Sequence, residues 1–136
     1  ISHYSISKNA SFCGLGKGNV RHIQCNEFGQ MDVDCLENQI KSDLQEGMIP
    51  FYINATSGTT VLCAFDNIED ISKVSKKYDI WLHVDGAFGG SVLFSNKYFH
   101  LLKGVENSDS FCFNAHHSDQ SSSLTLTINL YLLQSL

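Results

Sequence analysis

The chain has 136 residues, enough for one modest domain with a real core, and its 43% hydrophobic and 17% charged residues exclude a disordered chain. A formal net charge of −5, with Lys76-Lys77 as the longest basic run, argues against nucleic acid or an anionic membrane surface as partner. Five scattered cysteines (Cys13, Cys25, Cys35, Cys63, Cys112), none in a C-x-x-C pair, argue against a disulfide scaffold or zinc knuckle; they fit a reducing cytosol, so a cytoplasmic location is expected.

The chain opens at Ile1, without methionine, and is read as a piece of a longer polypeptide. Ile6, Ala10 and Cys13 share a helical face over residues 5–15, and Gly14 and Gly16 end that helix; the Gly14-Leu15-Gly16-Lys17-Gly18 run has neither dinucleotide nor P-loop spacing. Residues 20–24 read as a short strand and 26–30 as a turn. Asp32 is the expected N-cap of a helix burying Val33, Leu36, Ile40 and Leu44, closed by Gly47. Residues 50–56 read as a strand running into Ser57-Gly58-Thr59-Thr60. Asp66 is expected to cap a helix whose Ile68, Ile71, Val74 and Tyr78 share a face.

Residues 80–84 form a short apolar run, as in a parallel strand covered on both faces, and stop at Asp85. The glycines that follow allow close backbone approach. A short helix near 98–103 and a strand at Ser110–Phe113 complete the pattern. Strand–helix alternation at this spacing predicts an α/β fold with a mostly parallel sheet and crossover helices. Beyond it, residues 118–123 are serine-rich, and Leu124, Leu126, Ile128 and Leu130 alternate with polar residues as in a strand. That apolar stretch is about half of what a membrane crossing needs.

Three strand ends thus bring Thr59-Thr60, Asp85, and Asn114 with His116 to one edge, where ligands of open α/β sheets bind. Hydroxyls and an amide can hold phosphate oxygens, a carboxylate can hold a ring nitrogen, and an imidazole or a small side chain can pack on ring faces. Alone, Asp85 would be a turn cap; the convergence is what points to a ligand. Trp81, His83 and Phe113 are expected to be core or supporting residues.

Asn-Ala-Thr-Ser-Gly-Thr-Thr (54–60), Ala-Phe-Asp (64–66), Trp-Leu-His-Val-Asp-Gly-Ala-Phe-Gly-Gly (81–90), Asp-Ser-Phe-Cys-Phe-Asn-Ala-His (109–116) and Ser2-His3-Tyr4-Ser5 closely resemble the pyridoxal-phosphate-dependent group II amino-acid decarboxylases, with wording nearest the glutamate and cysteine sulfinate branch. The resemblance implies that residues 1–117 are part of the cofactor-binding large domain of the fold-type I pyridoxal-phosphate transferase fold, with 118–136 a divergent tail. It implies pyridoxal 5'-phosphate as cofactor, an acidic amino acid such as glutamate, cysteine sulfinate or aspartate as substrate, and homodimers for full-length homologues.

By the same resemblance, His3 and Asp85 are the catalytic pair. His3 stacks on the open ring face and orients the substrate carboxylate, and Asp85 holds the protonated ring nitrogen. Ala87 lies against the opposite face, Thr60 near the ring substituents, and Asn114 and His116 reach toward the phosphate. The family places its cofactor-linking lysine immediately after that histidine, and this chain has His117 there, which lacks a primary amine. Lys103 is the last lysine, so this chain alone is not expected to decarboxylate anything; the alternative is a non-catalytic remnant or interaction fragment. Cys112, His116 and His117 lack a fourth ligand at suitable spacing, so no metal site is expected.

Overall fold

The computed structural model describes residues 5–59 and 62–114, and its framework rests on a few well-made caps and one alternating burial pattern. Helix α1 (Ser5–Phe12) stops short of the expected boundary: Leu15 and Gly16 both turn back to the Ala10 carbonyl, with Gly14 and Gly16 at φ 75° and 80°. In α2 (Val33–Gln45), the Asp32 carboxylate accepts the Cys35 N–H at 2.9 Å, as expected of an N-cap, and Gly47 follows at φ 78°. Leu36 and Ile40 are buried as expected, whereas Leu44 is 46% exposed.

Two sequence expectations fail here. Residues 20–24 form no ladder. An isolated Cys25–Met31 bridge closes the 26–30 turn instead, with Asn26 Oδ1 accepting the Phe28 and Gln30 N–H groups. A strand needs a hydrogen-bonded neighbour, and an apolar cleft of about 810 Å³, lined by Val20, Ile23, Tyr52 and Ile53, occupies that position. The second failure concerns α3 (Ile68–Tyr78), which is capped by Asn67, whose side chain accepts the Asp70 N–H at 3.2 Å, and not by Asp66. Glu69 and Asp70 in its first turn and Lys76 and Lys77 in its last complement the helix dipole.

Strands β1 (Tyr52–Thr56), β2 (Trp81–Gly86) and β3 (Ser110–Phe113) pair in that order, all parallel. Helix α3 makes the first crossover. The second passes through 3-10 turns at Gly89–Phe94, Phe99–Leu102 and Val105–Asn107, the middle one lying where a helix was expected. Ile53, Ala55, Leu82 and Val84 point into a core with Leu36, Ile40, Ile68, Ile71, Val74 and Leu102. Tyr52, Asn54, Trp81, His83 and Ser110 point the other way and are exposed or half-buried. Among the described residues, then, one face of the sheet is closed and not both, and Trp81 is 50% exposed rather than core. No helix among them is long and apolar enough to cross a membrane.

Helices α2 and α3 are joined at Glu37, whose carboxylate accepts Lys77 Nζ at 2.6 Å, Tyr78 Oη at 2.9 Å and Lys41 Nζ at 3.2 Å. Lys77 foremost, then Tyr78 and Lys41, hold its pKa down to about 2 from an ordinary 4.5. A depressed folded-state pKa means that the contribution is complete above pH 4.5 and is lost as pH falls toward 2. Urea midpoints measured across that window should therefore drop more steeply for the wild-type chain than for Glu37→Gln; parallel curves would show that the contact adds nothing.

Candidate functional site

The parallel register sets Thr56, Asp85 and Cys112 side by side at the carboxyl ends of the three strands. Asp85 is half-buried; its Oδ1 accepts the Ala87 N–H at 3.0 Å and the Cys112 thiol at 3.3 Å. Among the described residues no donor is assigned to Oδ2. One oxygen thus fixes the side chain.

The loops beyond β1 and β2 are locked to each other. Gly89 N–H donates to the Ser57 carbonyl at 3.1 Å, and a Cβ on Gly89 would stand 2.3 Å from that same oxygen. A Cβ on Gly58, itself at φ 81°, would come within 2.6 Å of Gly89 Cα. No side chain fits at this crossing. The β1 loop then doubles back: Ser57 bridges Phe65, Gly58 and Thr59 N–H groups donate to the Ala64 carbonyl, and Thr59 Oγ1 accepts the Ala64 N–H at 3.1 Å. Thr59 is thereby committed to the loop.

Groups around Asp85 are held neutral. Burial, reinforced by the charge of Asp85, pushes the Cys112 thiol up to about 11 and the Tyr52 phenol up to about 12. Burial also lowers the pKa of His83, which stacks on Tyr52 with ring centroids 6.2 Å apart and bonds Ser110 Oγ through Nδ1 at 2.8 Å. Trp81 Nε1–H donates to the same Ser110 hydroxyl at 2.9 Å. His83 and Trp81 thus support the strand row from beneath, while Phe113 is buried.

Of the residues singled out from sequence, the structure brings Asp85, Ala87 and Asn114 to one edge; His3, Thr60, His116 and His117 lie outside the described residues. Neither Asp85, Ala87 nor Asn114 lines the cleft between residues 20–25 and β1. The strand-end chemistry, not that cleft, marks the candidate site. Sequence reading missed the roles of Cys112 and Asp109 and gave Asp66, expected as a helix cap and fold residue, the wrong contact. Cys112 shares the Asp85 oxygen. Asp109 starts β3 by accepting the Leu82 N–H at 2.7 Å and donating its own N–H to the Leu82 carbonyl at 2.9 Å. Asp66 accepts the Met31 N–H on Oδ1 and the Thr56 N–H on Oδ2, both at 2.7 Å. Its burial pushes its pKa up against the pull of those two donors. The available signal was the Asp66-Asn67 pair, two cap formers before a helix that needs one.

Comparison with known proteins identifies the family of the chain. Residues 1–119 match the pyridoxal-dependent decarboxylase conserved domain, so the chain belongs to that family. It is 50% identical over 114 residues to human cysteine sulfinic acid decarboxylase, covering 84% of this chain and 23% of the relative. It is 46% identical over 114 residues to acidic amino acid decarboxylase GADL1 of Xenopus tropicalis, covering 84% and 22%. The crystal structure of mouse CSAD superposes with a TM-score of 0.84 at 47% identity, over 85% of this chain and 25% of that one. That of Oryza sativa TDC with PLP gives 0.81 at 30% identity, over 85% and 25%. The chain spans about a quarter of the length of these relatives. The fold is the large-domain α/β fold of these decarboxylases, and the family's cofactor is pyridoxal phosphate.

The Asp85 surroundings suit the ring end of that cofactor: an oxygen without an assigned donor, a small side chain at Ala87 and a glycine-lined approach. A thiol whose pKa rises from 9.0 to about 11 carries about 100-fold less thiolate at neutral pH, and the thiolate is the nucleophile. Cys112, half-buried and held neutral, should therefore react with iodoacetamide more slowly than exposed Cys63, read by peptide mass spectrometry, and Asp85→Ala should speed it. Equal rates for the two thiols would contradict this picture of the site.

Proposed function

We propose that this chain is the cofactor-binding core of a decarboxylase acting on an acidic amino acid, cysteine sulfinate foremost, with glutamate and aspartate as related substrates. The observation that carries this reading is Asp85 at the end of a parallel strand, fixed through one oxygen and, among the described residues, without a donor at the other. The names of the relatives at 46–50% identity, cysteine sulfinic acid decarboxylase and acidic amino acid decarboxylase, support the substrate class. Residues 1–117 form this core, 118–136 a divergent tail, and the complete subunit works as a cytoplasmic homodimer.

Bound pyridoxal phosphate supplies an electron sink for the pair left when carbon dioxide departs. Asp85 holds the proton on the ring nitrogen by charge and hydrogen bond. By the family resemblance, Ala87 would bound one ring face without crowding it, and His3 would cover the other and orient the substrate carboxylate. Thr60 meets the ring substituents, and Asn114 and His116 bind the phosphate. The covalent anchor is the exception: His117 stands where the family has lysine and has no primary amine to offer. That residue favours a second reading for the chain itself, a non-catalytic member that keeps the binding geometry without the chemistry.

The chain mixed with pyridoxal phosphate should bind it weakly and without a borohydride-trappable link at position 117; a stoichiometric link there would overturn the assignment. In a complete subunit carrying this chain with His117→Lys, decarboxylation should appear. Asp85→Ala in that background should cost a factor of at least about 100, about 3 kcal/mol in the barrier, with the far-ultraviolet circular dichroism unchanged. Near-normal turnover would remove Asp85 from the mechanism.

A further inference from the structure

Asp66 is buried, with 9% of its surface exposed, yet it neither caps α3 nor pairs with a cation among the described residues. Both its oxygens are spent on backbone. Oδ2 takes the Thr56 N–H at 2.7 Å, and the Asp66 N–H returns to the Thr56 carbonyl at 2.9 Å. This is the pattern of a ladder partner, made by one residue at the edge of β1 that faces away from β2. Oδ1 takes the Met31 N–H at 2.7 Å, and Gln30 Nε2 donates to the Phe65 carbonyl at 2.6 Å, so the 26–31 turn is tied to the same place twice.

Thr56 lies in register with Asp85, and Ser57, next in the chain, bridges Phe65 at the base of the loop that carries Thr60. Asp66 therefore sits where the strand end, the returning arm of that loop and the 26–31 turn converge. An unbonded backbone N–H at this depth is costly, so the carboxylate fixes all three together. We propose that Asp66 is the positioning residue of the cofactor site: it touches no ligand, but it holds residues 57–59 and the returning arm at 62–65 against the strand end beside Asp85 and so governs cofactor affinity. This rests on the reading that the strand ends hold pyridoxal phosphate.

Asp66→Asn keeps the shape but presents an amide N–H₂ to one of the two backbone donors, breaking one tie. In the full chain, amide hydrogen exchange should quicken at least about tenfold at Met31 or Thr56 and at Cys63 and Ala64, whose N–H bonds lie within the loop, with Val84 and Phe111 unchanged. Pyridoxal phosphate affinity, followed by NMR titration, should weaken by at least about tenfold. Exchange that quickens throughout the sheet would mark Asp66 as a stability residue only and overturn the proposal, as would unchanged affinity. If Asp66→Asn does not fold, Gln30→Ala cuts the second tie and should move loop exchange and affinity in the same direction; no change there would equally overturn it. Asp85→Asn serves as the control, weakening binding without altering exchange at Thr56. Absence of saturable binding by the wild-type chain would instead bring down the cofactor reading itself, and this proposal with it.

Discussion

Backbone contact between Gly58 and Gly89 is the constraint on which the strand-end site depends. The chain leaves two neighbouring parallel strands and immediately crosses itself at a distance that admits no side chain. With the Gly89 N–H bonded to the Ser57 carbonyl, the loop after β1 cannot shift without dragging the turn after β2. Asp85 lies between them, and Ala87 follows. Two loops that would each be mobile alone become one rigid edge, and rigidity of this kind lets a site hold a ligand without a large ordering cost on binding.

The same edge has a simple electrostatic character. Asp85 contributes its carboxylate to a face whose other titratable groups are kept uncharged: burial raises Tyr52 and Cys112 and lowers His83. No lysine or arginine among the described residues pairs with Asp85, and in our proposal this carboxylate would accept the protonated ring nitrogen. Half-burial strengthens such a pairing relative to water. The Cys112 thiol takes part by donating to the oxygen that Ala87 also holds, so the second oxygen keeps a fixed direction.

How far the sequence reveals this depends on whether a feature is local. The Asp32 cap, the 26–30 turn, the buried stripe of α3 and the strand at Ser110–Phe113 follow from residues within a few positions of one another, and all are where the pattern put them. The parallel sheet is legible from alternation alone. The misreadings are tertiary. Residues 20–24 have strand propensity but no neighbour to pair with. Leu44 follows helical spacing but reaches the end of the packed region. Asp66 and Asn67 are equally good caps on paper, and the choice between them is made by Met31 and Thr56, donors far from the helix start. Asp85 and Asn114 were legible because an apolar run that stops at a polar residue marks a strand end, and parallel strands share the edge at which they stop; Ala87 was named only through the family resemblance.

In our proposal ring recognition rests on residues other than 117, which makes His117 intelligible. Asp85 is held by Ala87 and Cys112, and the loops by Gly58, Gly89 and, in our proposal, Asp66; none of these contacts involves residue 117. The match to the family continues to residue 119, past the substituted position, so the departure there falls within the matched segment and does not end it. In our proposal, the imidazole at that point offers the cofactor no primary amine, while the strand-end contacts described above are made by other residues. A chain of this kind can retain the shape of a cofactor site while losing the bond that made the cofactor permanent.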